Sequence, residues 1–163
     1  NNKLISHPDY DIIYLTPNNQ NLSYYRQSIQ QYRPQFIYLN SFFSTRFSLL
    51  PLLAAQSNAT KIPVILAPRG EFSPGALAIK KTKKKVYLLI VALFRLYRAV
   101  TFHVTAAMEK KNLQKYYPHA KIALAPNLCF YEKIPPLVCE KKTGQLNIIF
   151  LSRITKKKKV GEL

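Results

Sequence analysis

Three stretches of the sequence carry residue types that suit chemistry on anionic or hydroxylated ligands. The first is the loop Ala67-Pro68-Arg69-Gly70-Glu71-Phe72-Ser73-Pro74-Gly75. Glycine at position 70 permits positive φ and close backbone approach to a ligand. The guanidinium of Arg69 offers a planar fork for phosphate or carboxylate. The second is Lys80-Lys81-Thr82-Lys83-Lys84-Lys85, which leads into the apolar run from Val86 to Phe94. It reads equally as a segment that settles on an anionic membrane surface and as the solvated start of a buried helix. Lysines at a helix N-terminus oppose the macrodipole, which favours a partner for them. The third is Arg153 with Lys156, Lys157, Lys158 and Lys159. Cations so grouped can neutralise a diphosphate, although a terminal lysine run is otherwise a solvated tail.

The histidines carry less. His103 lies on an apolar stretch and reads as a satisfied core residue; His7 and His119 neighbour prolines and read as surface residues. Nucleophilic triads, P-loops and zinc motifs are not visible in the sequence. Cys129 and Cys139 have neither CxxC spacing nor companion histidines, so a metal site is not expected.

Composition bounds the rest. The 163 residues are 48% hydrophobic, enough for a real core. A net charge of +18, from 25 basic and 7 acidic side chains, points to an anionic partner: nucleic acid, membrane or phosphorylated substrate. Richness in Lys, Asn, Ile and Tyr with scarce Gly is also what a biased genome would produce in any protein. The run Val86–Phe94, closed by Arg95 and Arg98, is too short to cross a bilayer.

The elements that must position these residues alternate. Asp11–Leu15, Gln35–Leu39, Ile62–Leu66, Thr101–Thr105 and Lys121–Ala125 read as strands. Helices are expected over Asn21–Arg33, from a Ser44 cap to about Ala55 with a kink at Pro51, from about Ala76 to Arg98, and over Ala106–Tyr116 capped by Thr105. Such alternation predicts a Rossmann-like, doubly wound parallel sheet with functional loops after Leu39, Leu66, Val104 and Leu151. The expected division is a first domain over 1–127, incomplete at its start, a linker over 128–145, and the first strand and loop of a second domain over 146–163.

Several of these stretches together resemble the retaining GT-B glycosyltransferases of family 4. They are Ala67–Leu77 with Ile79-Lys80 and the lysines that follow, Phe102–Lys110, Ala125-Pro126-Asn127-Leu128, and Leu146–Lys158. The resemblance covers residues 34–163, and its order and spacing are more specific than any one motif. It departs from the family at Leu128, where glycine is usual, and at Lys159. It implies a sugar transferase of surface polysaccharide biosynthesis, with an acceptor-side domain facing a nucleotide-sugar domain across a cleft. Arg69, Gly70 and Glu71 would line the acceptor side. Arg153 and Lys158 would hold the donor diphosphate in place of a metal, so neither metal nor cofactor is expected. The partners would be a nucleotide-sugar, a glycan or lipid-linked acceptor, and an anionic membrane surface met by Lys80, Lys81, Lys83, Lys84 and Lys85. The location would be cytoplasmic, at the inner face of the membrane. The stretch in hand would be inactive alone, being cut just as the donor-binding half begins.

The alternative reading is a basic nucleic-acid-binding α/β domain without enzymatic activity, supported by the charge and the many Tyr and Phe residues. Their placement on strands and core faces speaks against it, and the transferase reading expects no nucleic acid. A dinucleotide-binding protein such as an epimerase would want a G-x-G-x-x-G loop, which is not present.

Overall fold

A computed structural model describes residues 2–57 and 62–128. Residues 1–126 form one compact unit and residues 127–163 a second. The expected linker and second-domain stretch, with Cys129, Cys139, Arg153 and Lys158, lies outside the described residues except for Leu128.

Two strands open the chain, β1 (Lys3–Ser6) and β2 (Asp11–Tyr14), paired antiparallel with Lys3 opposite Tyr14. This corrects the sequence expectation for Asp11–Leu15: the segment is not a strand of the parallel sheet. Its partner, Lys3–Ser6, alternates too weakly to announce itself. Helix α1 (Leu22–Tyr32) follows, with the Asn21 side chain accepting from the Tyr24 amide. It ends at Arg33, which sits left-handed at φ 44° just before Pro34.

The main sheet is parallel throughout: β3 (Ile37–Asn40), β4 (Val64–Ala67), β5 (Thr101–Val104) and β6 (Lys121–Leu124), in that order across the sheet. Leu39 stands beside Leu66, Leu66 beside Phe102, and Phe102 beside Ile122. The crossovers run through α2 (Leu50–Gln56), preceded by a π-helical turn Thr45–Leu49, then α3 (Pro74–Ala78) with α4 (Lys81–Leu93), then α5 (Ala107–Gln114). The architecture is therefore α/β with a four-stranded parallel sheet flanked by helices, compatible with a Rossmann-like fold.

Every crossover steps the same way along the sheet. Right-handed crossovers that all step one way must all lie on one face. Burial agrees: Leu39, Val64, Leu66, Phe102 and Val104 join Ile29, Leu52, Val91 and Leu113 of the helices in one core. The intervening residues, Tyr38, Asn40, Thr101, His103, Lys121 and Ala123, are half-buried or exposed. A doubly wound sheet would bury this second face along its length; among the described strand residues that point to it, only Ala67 at the end of β4 is fully buried.

One local expectation needs correction and a second is met in altered form. The long helix from about Ala76 to Arg98 is broken at Ile79-Lys80, where Lys80 turns left-handed at φ 55° and α4 begins afresh. Pro51 lies inside a helical run that passes without a break from the π-helical turn Thr45–Leu49 into α2, Leu49 and Leu50 both being right-handed; the irregularity expected at the proline takes the form of that π-turn immediately before it. Ser44 does cap, its hydroxyl accepting from the Phe47 amide.

The core is aromatic at its centre. Phe42, fully buried, packs its ring against those of Phe43, Phe72, Tyr87, Tyr97, Phe102 and Tyr117. The Tyr87 hydroxyl donates to the Phe42 carbonyl at 3.0 Å and shares a 2.7 Å bond with the Tyr97 hydroxyl. Phe42→Ala should cost about 3–5 kcal/mol by urea denaturation, the range for losing a large ring from a closed core. Burial raises the phenol pKa values of Tyr87, Tyr97 and Tyr117 in the folded state. Their contribution to stability is thus complete below the unfolded-chain value of about 10 and declines as pH rises beyond it. An ultraviolet pH titration should show these phenols ionising together with alkaline unfolding rather than ahead of it.

Candidate functional site

The carboxyl ends of β3, β4 and β5 meet in a set of loops held by two glutamates. After β3 the chain turns at Ser41, which adopts φ 77°, an unusual conformation for a residue with a Cβ. Its amide donates to the Ala67 carbonyl at 2.9 Å and its hydroxyl to Glu71 at 2.7 Å. The amides of Phe42 and Phe43 also donate to the Glu71 carboxylate. Ser48, fully buried, donates its hydroxyl to the Ser41 carbonyl at 2.5 Å.

After β4, Pro68-Arg69-Gly70-Glu71 closes a tight turn, with the Glu71 amide donating to the Pro68 carbonyl at 3.2 Å. Both central residues take positive φ, 52° at Arg69 and 73° at Gly70. The sequence expectation of positive φ at Gly70 is met; Arg69 shares the conformation, which an arginine adopts only when its surroundings hold it there. The Gly70 amide donates at 2.5 Å to Glu109 of α5, whose other oxygen accepts from the Thr105 amide at 2.9 Å and the Thr105 hydroxyl at 3.1 Å. Thr105 thus bonds to Glu109 where an N-cap of α5 was expected; the cap position is Ala106.

On this scaffold the Arg69 side chain lies along the end of β3. Its Nε donates to Asn40 Oδ1 at 3.1 Å and its Nη2 to the Tyr38 hydroxyl at 3.3 Å. The Tyr38 hydroxyl lies 2.5 Å from His103 Nδ1, and His103 Nε2 lies 3.0 Å from the Ala125 carbonyl. A carbonyl only accepts, so Nε2 carries the hydrogen there. In the neutral ring, Nδ1 then accepts from Tyr38, whose oxygen accepts from Arg69. The result is a directed chain, Arg69 to Tyr38 to His103 to the β6 exit, on the half-exposed side of the sheet.

The residues singled out from sequence are therefore separated by role. Arg69 is exposed and reaches over the strand ends with Tyr38, Asn40 and His103. Gly70 supplies the turn and the bond to Glu109. Glu71 does not face outward as a cleft-lining group would; its carboxylate is spent on the backbone and hydroxyl after β3. His103 is satisfied but does not belong to the core, since it sits on the sheet face opposite Phe102 and Val104. Of the lysines, Lys84 turns inward, donating to the Ala76 carbonyl at 2.6 Å with its ammonium 4.7 Å from the Phe43 ring centre. Lys80, Lys81, Lys83 and Lys85 are exposed. Tyr38 escaped sequence reasoning because a tyrosine in an apolar strand reads as core. Glu109 belongs to the stretch Phe102–Lys110 that carries the resemblance, but nothing in that stretch announced its bond to the Gly70 amide.

Comparison with protein-family models, with curated proteins and with solved structures finds no match. Among the described residues, no group of His, Cys, Asp or Glu could hold a metal ion, and no helix is long and apolar enough to cross a membrane.

Removing the Glu71 carboxylate orphans the Phe42 and Phe43 amides and unlocks two loops at once. Glu71→Ala should cost about 2 kcal/mol or more in denaturant unfolding. Hydrogen exchange at the Phe42 and Phe43 amides should quicken, while Glu71→Gln, which keeps one acceptor oxygen, should recover part of both.

Proposed function

We propose that this chain is the acceptor-side portion of a retaining glycosyltransferase, moving a sugar from a nucleotide-sugar to a glycan or lipid-linked acceptor at the inner face of the membrane. The observation that carries the reading is the junction of Arg69, Tyr38, Asn40 and His103 over the carboxyl ends of parallel strands. Ligands of open α/β sheets bind at such strand ends. A guanidinium, a phenol, an amide and an imidazole there offer hydrogen bonds of both polarities, which suits a hydroxylated acceptor. In this reading Arg69 orients the acceptor, and the Tyr38–His103 pair keeps the donors and acceptors around it fixed. Glu71 and Glu109 position the loops rather than touch substrate. Arg153 and Lys158 would steady the diphosphate that leaves the donor, so the reaction calls for no metal.

The nucleic-acid alternative has the charge in its favour, and Tyr10, Tyr14, Tyr32, Phe36, Phe47 and Phe94 are exposed, but the largest group of aromatic residues is not free to serve it. Phe42, Phe72, Phe102 and Tyr97 are buried against one another and cannot stack on bases.

The test is sugar incorporation from labelled nucleotide-sugars into glycan and lipid-linked acceptors by the polypeptide that carries this chain together with its donor-binding part. Arg153→Ala should lower turnover by about 10²-fold or more, as for loss of a group that stabilises leaving-group charge. Arg69→Ala should chiefly raise the KM for acceptor. Incorporation independent of nucleotide-sugar, or unaltered by both substitutions, would overturn the reading, and tight salt-sensitive binding to oligonucleotides would favour the alternative.

A further inference from the structure

Helix α4 buries very little of its apolar surface. Val91 is its one fully buried residue, with Tyr87 and Leu88 half-buried. Val86, Leu89, Ile90, Leu93 and Phe94 are exposed by 52%, 71%, 46%, 74% and 66% respectively. The apolar run that sequence alone could assign to a buried helix therefore points largely away from the core. Steps of about 100° per residue set Val86, Leu89 and Leu93 at the middle of the outward face. Lys81 and Lys85 fall along one border of that face and Lys83 along the other. Beyond the last turn, Arg95 and Arg98 are exposed. Not one acidic residue occurs between Phe72 and Met108.

The apolar stripe has a basic groove at its side. A groove of about 360 Å³ between α3, α4 and α5 is lined by Leu77, Leu88 and Tyr116 together with Lys81, Lys85 and Lys115. The helix is 13 residues long, about 20 Å, and so can lie along a bilayer surface but not span one. Its lysines crowd the positive end of the helix dipole, an arrangement adverse to the helix by itself and relieved by negative charge outside it.

We infer that the outward face of α4 docks on an anionic lipid bilayer. Leu89, Leu93 and Val86 enter the boundary between headgroups and acyl chains, and Lys81, Lys83, Lys85, Arg95 and Arg98 meet the lipid phosphates. A second copy of the chain would set lysines against lysines across the same face. A nucleic acid would leave the stripe in water. Only a surface both negative and apolar matches both halves of this helix.

Vesicle flotation of the full chain tests this with phosphatidylcholine vesicles, with and without phosphatidylglycerol. Binding should require phosphatidylglycerol. Because Leu89 and Leu93 are so exposed, Leu89→Glu with Leu93→Glu should leave the fold intact by circular dichroism yet weaken binding about ten-fold or more, from lost apolar burial. Lys81→Glu with Lys83→Glu and Lys85→Glu should weaken it comparably. The chain has no tryptophan, so Leu93→Trp adds a sole indole reporter. Its emission should shift to the blue on anionic vesicles and be quenched by lipids brominated on their acyl chains, whereas Tyr14→Trp on the hairpin should respond to neither. Equal binding to neutral vesicles, unaltered binding of the double glutamate variant, or an unquenched Leu93→Trp would each overturn the proposal. So would a concentration-dependent dimer abolished by the double glutamate variant, which would assign the stripe to a second copy. Flotation needs no sugar donor, so the docking face and the transfer reaction fail separately.

Discussion

Two carboxylates decide where the ends of the parallel strands go. Glu71, leaving β4, gathers the Ser41 hydroxyl and the amides that follow β3. Glu109, in the first turn of α5, gathers Gly70 from the β4 exit and Thr105 from the β5 exit. Each is an anionic acceptor on backbone donors, the stronger kind of hydrogen bond. Together they tie three consecutive strand exits into one rim. Without that tie neither Ser41 nor Arg69 has reason to hold positive φ, and the Arg69 side chain loses its course over Tyr38 and Asn40. In a chain with only seven acidic residues, two are committed to this internal work.

The tie also connects the rim to the core. Phe42, whose amide is held by Glu71, is the ring on which six other aromatic side chains converge. Its carbonyl takes the Tyr87 hydroxyl from α4. A single residue thus shares its backbone with the rim at the strand ends and its side chain with the apolar centre. Lys84 adds to the same arrangement from α4, above the Phe43 ring, and so belongs to the packing rather than to the exposed cluster its neighbours form.

Much of the architecture was legible because it depends on periodicity. Apolar runs of strand length separated by helical patterns located β3 to β6 within two residues or so, and Pro34 and Ser44 marked helix limits by their own chemistry. What stayed hidden depends on partners remote in sequence. Nothing local tells that Tyr38 and His103 share a hydrogen bond across a strand, or that Glu71 turns back to the loop after β3. The break at Lys80 was concealed since lysine and isoleucine are ordinary helix residues; only tertiary packing makes a left-handed residue worthwhile there. The outward aim of α4 was likewise undecidable from an apolar run alone, because such a run fills a core or an interface equally well.

The strand order carries a consequence for how the molecule comes to be. Since β3, β4, β5 and β6 lie side by side in the order of synthesis, each new strand finds its neighbour already in place and each helix packs onto the layer just completed. Parallel sheets usually demand distant pairings that delay assembly. Here growth proceeds by short increments from one edge, so the sheet can build outward while the remainder of the polypeptide is still leaving the ribosome.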